Sequence, residues 1–207
     1  MKKSILFSVL FTFISVASFA QITPIVKGGF NLSNFYGSDS DESKTLVGGR
    51  VGFGVEYPLN DMISLQPTLY LSHKGAKFEA KGGDLKRNAW YLDMPLDVQF
   101  RFKVAEKTNL TVAAGPYIAY GIFGKTKVSG TSGGQTVSID WNTFDDEQVQ
   151  GETISGMKRF DAGLNFEAGL EFGKFLVGGS FELGLLKVQE SAKAYNSNFS
   201  INVGYKF

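Results

Sequence analysis

From Pro24 onward, hydrophobic and polar residues alternate with a period of two. Between Trp90 and Phe102, one parity holds Trp90, Leu92, Met94, Leu96, Val98, Phe100 and Phe102. The other holds Tyr91, Asp93, Pro95, Asp97, Gln99 and Arg101. In a strand these two sets point to opposite faces, whereas a helix would smear both around its axis. The same pattern predicts strands at about 24–33, 47–57, 63–74, 90–102, 110–123, 160–172, 175–186 and 198–207. The connections alternate too. Residues 58–62, 103–109 and 173–174 are short turns, while 34–46, 75–89, 124–159 and 187–197 are longer. Short turns on one side and long loops on the other are the signature of a transmembrane barrel, with its turns periplasmic and its loops outside. Each segment is long enough to cross a bilayer as a tilted strand.

Alternation alone fits a soluble lipocalin-like barrel equally well, because both kinds have one apolar and one polar face. Side-chain volume separates them. The apolar parity is crowded with Phe, Leu, Ile, Val, Tyr and Trp. The other is rich in small residues such as Gly52, Gly54, Ser64, Thr68, Ala113, Gly115, Gly163, Gly169, Gly178, Ser180 and Gly204. An eight-stranded barrel has an interior just wide enough for side chains to fill. The small set fits inside, and the large apolar set suits lipid. The expected fold is therefore all-β: an eight-stranded, antiparallel, up-and-down transmembrane β-barrel. The 25 Gly and 19 Phe, with a mean hydropathy close to neutral, then read as two opposed faces that cancel. Tyr57, Phe102, Phe172, Phe175 and Phe207 fall at one expected rim, and Trp90, Tyr120 and Phe160 toward the other, as aromatic girdles do. Pro67, Pro95 and Pro116 fit awkwardly, since each removes a ladder donor inside an expected strand.

The first twenty residues read as an address. Lys2 and Lys3 precede an apolar run, and Ser18-Phe19-Ala20 offers small residues at a cleavage site, so 1–20 is expected to be a cleaved signal peptide and 21–207 the barrel domain. The absence of cysteine excludes a disulfide scaffold, thiolate metal sites and a cysteine nucleophile. A formal charge of +1 gives no reason to expect a nucleic-acid partner.

The inward parity carries charges that must pair or stay wet. Counting up from the short turns puts Glu56, Arg101, Glu171 and Lys206 in a lower layer, and Arg50, Asp97, Glu167 and Glu182 in a middle layer. The expectation is a luminal polar plug, the alternative a conduction path. Enzymatic chemistry would need a nucleophile beside a base. His73 is the single histidine, and its neighbour Ser72 points to the opposite face, so no enzyme is expected. Asp140, Asn142, Asp145, Asp146 and Glu147 sit in the longest loop, but the calcium-loop spacing fails there, and neither metal nor cofactor is expected. Residues 125–129 and 135–141 read as a hairpin extending the fifth strand, with Trp141 and Phe144 as a contact patch. Lys81, Lys86 and Arg87, in a basic loop with Lys77, could meet lipid phosphates or simply be solvated.

Lys27-Gly28-Gly29-Phe30-Asn31-Leu32-Ser33, Glu56-Tyr57-Pro58-Leu59, Leu65-Gln66-Pro67 and Lys74-Gly75-Ala76 resemble the PorT-like outer-membrane β-barrel family of Bacteroidetes-type bacteria. Tyr91-Leu92-Asp93-Met94-Pro95-Leu96, Ala114-Gly115-Pro116-Tyr117, residues 163–172 and Gly204-Tyr205-Lys206-Phe207 resemble it too, across essentially the whole expected mature chain. The resemblance implies an eight-stranded barrel in the bacterial outer membrane, without implying a single activity. Phe207, preceded at alternate positions by Tyr205, Val203 and Ile201, is similar to the signal read by outer-membrane assembly machinery. The partners expected are therefore outer-membrane lipid, that machinery and an envelope protein. The expected role is structural or interactive. An accessory part in transport or secretion, and a lipid-modifying enzyme, are the alternatives.

Overall fold

The computed structural model describes residues 22–38, 40, 43–80, 83–132, 135–149, 151–190 and 192–207. The expected signal peptide lies outside them. Eleven strands follow in order: β1 (Thr23–Tyr36), β2 (Ser43–Pro58), β3 (Ile63–Ala80), β4 (Gly83–Ala105), β5 (Thr108–Ser132), β6 (Gln135–Asn142), β7 (Glu147–Val149), β8 (Glu152–Ile154), β9 (Phe160–Phe172), β10 (Phe175–Lys187) and β11 (Tyr195–Lys206). Eight of them close a ring, β1-β2-β3-β4-β5-β9-β10-β11, each antiparallel to both neighbours. β1 pairs with β11 and leaves the ring no edge to manage. β6 turns back on the outer part of β5 as the expected hairpin, and β7 with β8 makes a small separate one.

The ring is apolar outside and polar within. Phe30 is 76% exposed on the outer face, whereas Glu182 is 1% and Asp93 0% exposed inside. A soluble barrel would have these faces reversed. Burying charged groups inside while presenting Phe, Leu and Val outward is stable only where the outside is hydrocarbon.

One expectation needs correcting. Residues 75–89, expected as a loop, are mostly strand: β3 and β4 remain paired from Gly75↔Asn88 to Ala80↔Gly83. The physical reason is an inversion of the pattern. Lower in β3, Leu65, Leu69 and Leu71 face outward. Higher up, Ala76 is buried and Phe78 half-buried toward the inside, while Lys77 faces out. The strand has left the lipid, its exterior meets water, and a search for outward apolar residues ends at the membrane boundary.

The three prolines sit together on β3, β4 and β5. Pairing lapses between Pro67 and Tyr70 on one seam, and between Pro95 and Val98 on the next. The lost ladder bonds are thereby gathered into one patch instead of weakening three separate places. Gly115 permits close approach there, since a Cβ at that position would lie 1.9 Å from the Leu96 carbonyl oxygen.

Candidate functional site

The lumen is filled in levels. At the short-turn end, Arg101 Nη2 lies 2.5 Å from Glu56 Oε1 and 3.2 Å from Glu171 Oε2. Lys206 Nζ lies 2.5 Å from Glu56 Oε2 and 2.5 Å from Glu171 Oε2. Strands β2, β4, β9 and β11 supply these four residues, so every second strand of the ring contributes one. The structure brings together the four residues that counting from the turns groups in a lower layer.

The expected middle layer divides. Lys27 Nζ donates to Glu167 Oε1 at 2.6 Å and to Gln66 Oε1 at 2.7 Å, and Asn165 Nδ2 donates to Asp97 Oδ2 at 2.8 Å. Separately, Arg50 Nη1 lies 3.1 Å from Glu182 Oε1, and Lys74 Nζ bridges Glu182 Oε2 at 2.6 Å and Asp93 Oδ1 at 2.9 Å. Barrel strands tilt and stagger, so equal residue counts from a turn do not give equal heights. Lys74 was not among the expected network residues, although it shares the inward parity of Ser64 and Ser72. The Arg50 guanidinium lies 3.6 Å from the centroid of the Tyr70 ring, a cation–π contact. Tyr70 in turn occupies the space a side chain at Gly52 would fill, since a Cβ there would meet the ring at 2.4 Å. A cavity of about 10 Å³ beside Lys27, Gln99, Thr111, Glu167 and Asn202 has room for about one water.

Above these levels, Tyr117 Oη and Asn196 Nδ2 each donate to Asp161 Oδ2 at 2.9 Å. Residues 143–144 and 155–158 then fold over the barrel mouth. Thr143 Oγ1 donates to the Asn88 carbonyl at 2.9 Å, Met157 N to the Thr143 carbonyl at 2.8 Å and Lys158 N to the Val188 carbonyl at 2.7 Å. Met157 is buried with Phe35, Ala76, Val188 and Ala194. The Phe144 ring meets Tyr91 edge-on, with Arg159 stacked 4.5 Å above it. Gly121 leaves room for that ring, since a Cβ there would come within 2.2 Å of it. At the exposed margin of this cap, the Lys158 ammonium lies 2.9 Å from Glu190 and holds its carboxyl below the ordinary carboxylate range.

The loop candidates fare differently from one another. Lys81 lies outside the described residues. Lys86 is exposed on the outer face of β4. Arg87 is corrected: it is 6% exposed, points inward and donates to the Ser155 carbonyl at 3.3 Å, so it tethers the cap and offers no surface charge. The Trp141–Phe144 contact patch is corrected as well. Phe144 packs beneath the cap, and Trp141 is half-buried opposite Thr126. Hydrophobic residues beyond the membrane turn inward wherever an apolar cluster is within reach, and a loop sequence does not reveal that cluster. His73 faces outward against Trp90, while Ser72 is buried in the lumen. In the acidic loop, Asp140 pairs with Lys125 at 3.0 Å, and Asp146 accepts from Gly156 N at 2.8 Å. Among the described residues, no cluster of three or more histidine or carboxylate side chains could hold a metal ion.

A family model described as outer membrane protein beta-barrel domain matches residues 19–190. A comparison with curated proteins finds no match. Among solved structures, the chain is similar to Ail, the attachment invasion locus protein of Yersinia pestis, at 18% identity and a TM-score of 0.45, covering 89% of this chain and 98% of that one. It is similar to Neisserial surface protein A at 12% identity and a TM-score of 0.48, covering 90% and 99%. It is also similar to OprG from Pseudomonas aeruginosa at 13% identity and a TM-score of 0.43, covering 91% and 97%. These are likenesses of fold alone.

Proposed function

The chain belongs to the outer membrane protein β-barrel domain family and lies in the bacterial outer membrane, and from that premise we propose that it is a non-enzymatic structural and interaction protein that displays its loops outside the cell. One observation carries this reading: the lumen is ion-paired from the Glu56–Arg101–Glu171–Lys206 ring up to the cap, which opposes a water-filled path. What extends beyond the cap is the β5–β6 hairpin, in the position where surface-exposed segments commonly carry binding. His73 lies against an aromatic ring with Ser72 on the opposite face, which supports the non-enzymatic reading.

Single-channel recording of the purified chain in a planar bilayer tests the closed lumen. The expected record is a silent bilayer; a stable open conductance overturns the reading. Removing residues 129–138 leaves the cap in place and is expected to abolish surface binding with the barrel still folded. A lipid-deacylating activity lost on His73→Ala would instead make the protein an enzyme.

The order of the Lys27–Ser33, Leu65–Pro67 and Tyr91–Leu96 motifs supports a finer placement among PorT-like proteins, and with it a second reading as an accessory to outer-membrane transport or protein secretion. Stoichiometric co-purification with a secretion complex from solubilised envelope would favour that reading. Outward exposure of Ile201, Val203 and Phe207 on β11 and just beyond it supports recognition by the assembly machinery.

A further inference from the structure

Lys44, Lys77, Lys86 and Lys127 stand directly opposite one another on four adjacent strands. The register pairs Lys44 with Lys77, Lys77 with Lys86, and Lys86 with Lys127. All four are exposed on the outer face of the barrel's extension. Like charges directly opposite in a sheet repel, yet Lys77, Lys86 and Lys127 have no ion pair to any described residue. The row ends at Asp140 on β6, whose carboxylate is engaged by Lys125. A recess of about 260 Å³ is lined by Lys77, Lys86, Lys127, Ser129, the apolar Phe78 and Leu85, and one carboxylate, Asp84.

The height of this row is informative. His73, Trp90 and Phe123 form an aromatic row on the same three strands, with ring centroids 5.1 and 5.8 Å apart. Such rows mark the membrane–water interface. Each lysine of β3, β4 and β5 lies four residues further out along its strand. At ~3.3 Å per residue that is about 13 Å, or about 10 Å along the membrane normal for a strand tilted by about 40°. The lysine backbones thus stand just outside the headgroup layer, and their flexible stems can snorkel the ammonium groups back down to the headgroups, above a mostly apolar crevice lined by Trp90, Phe123, Gly124, Asn88 and Lys125.

We propose that the cross-strand row Lys44–Lys77–Lys86–Lys127 binds the phosphate of an anionic lipid headgroup in the outer leaflet, whose acyl chains lie along the aromatic row below. The ligand chemistry is a lipid-borne phosphate: its oxygens accept from several ammonium groups at once, and its tail holds it at the height of the row. This inference rests on the chain's place in the outer membrane, and it stands or falls independently of the non-enzymatic reading.

Trp90 reports on the site. The chain carries two tryptophans, and a Trp141→Phe background leaves Trp90 as the probe. The full chain is reconstituted in phosphatidylcholine vesicles containing phosphatidic acid with brominated acyl chains, which quench a nearby indole. The expected result is a preference of Trp90 quenching for brominated phosphatidic acid over brominated phosphatidylcholine, on the order of fivefold or more in relative lipid association at low salt. The combined variant Lys77→Gln, Lys86→Gln and Lys127→Gln is expected to bring the ratio to unity, with quenching by brominated phosphatidylcholine and the heat-modifiable gel shift of the folded barrel unchanged. Lys107→Gln, at the opposite end, leaves the preference intact. Equal quenching by the two lipids in the unsubstituted lysine row overturns the proposal, as does a preference that survives the triple variant. Loss of the preference in millimolar inorganic phosphate at constant ionic strength would make this a site for free phosphate and overturn the lipid assignment.

Discussion

Lysines in two regions of this barrel meet opposite fates. Inside, Lys27, Lys74 and Lys206 each lie within 3 Å of at least one carboxylate oxygen. Outside, Lys77, Lys86 and Lys127 line up side by side without an ion pair to a described residue. The difference follows from solvent. In the lumen an unpaired ammonium would cost several kcal/mol, roughly, so pairing is obligatory. On the outer rim water and salt reduce the repulsion, so a row of like charges can persist and remain available to an anion from outside the chain. The same residue type is thus structural in one region and interactive in the other.

The largest effect is expected where the pairing is tightest. Lys74→Met leaves Asp93 and Glu182 without the cation they share, and should lower stability by about 3–5 kcal/mol, read as a fall in the urea midpoint of the vesicle-bound barrel. Glu56→Gln, in the partly wet ring at the short-turn end, should cost less, about 1–3 kcal/mol, by the same measurement. Gly121→Val pushes on Phe144 and should loosen the cap by about 1–3 kcal/mol, so that trypsin cuts at Lys158 and Arg159 faster while the barrel persists. On the rim, replacing Lys77, Lys86 and Lys127 together by Gln should leave the urea midpoint in neutral detergent within about 0.5 kcal/mol; a large loss would mean that the row is structural after all. The smallest effect belongs to Lys158–Glu190. Because the Glu190 carboxyl is held below its ordinary range, its contribution is present at neutral pH and fades as pH falls through that lowered value. Protease resistance of the cap should decline slightly over that acid range, and Glu190→Gln should remove the decline.

Much of this was legible in the chain. The parity of residues 90–102 assigns both faces of β4, and the number of strands and their alternating connections follow from repeating the same test. The lower ring was legible because its four residues lie close to the short turns, where little stagger has accumulated. Higher up, the count along each strand and the height in the barrel diverge, so Arg50 and Glu182 separate from Asp97 and Glu167 and share their level with Lys74 and Asp93. The cap was the least legible part. Arg87 and Phe144 look like surface residues in a polar loop, but Phe144 packs on a cluster drawn from Phe35, Met157 and Val188, and Arg87 reaches the Ser155 carbonyl, contacts that join separate parts of the chain.

By itself, then, the sequence determined the period, the inside-out faces, the closed ring and the requirement that luminal charges be neutralised, because each follows from local alternation and side-chain volume. The tertiary structure decided which charge meets which, where the strands leave the lipid and what closes the mouth. Those outcomes depend on strand tilt, on register across the seams and on contacts between residues more than a hundred positions apart, such as Lys74 with Glu182, and no local pattern encodes them.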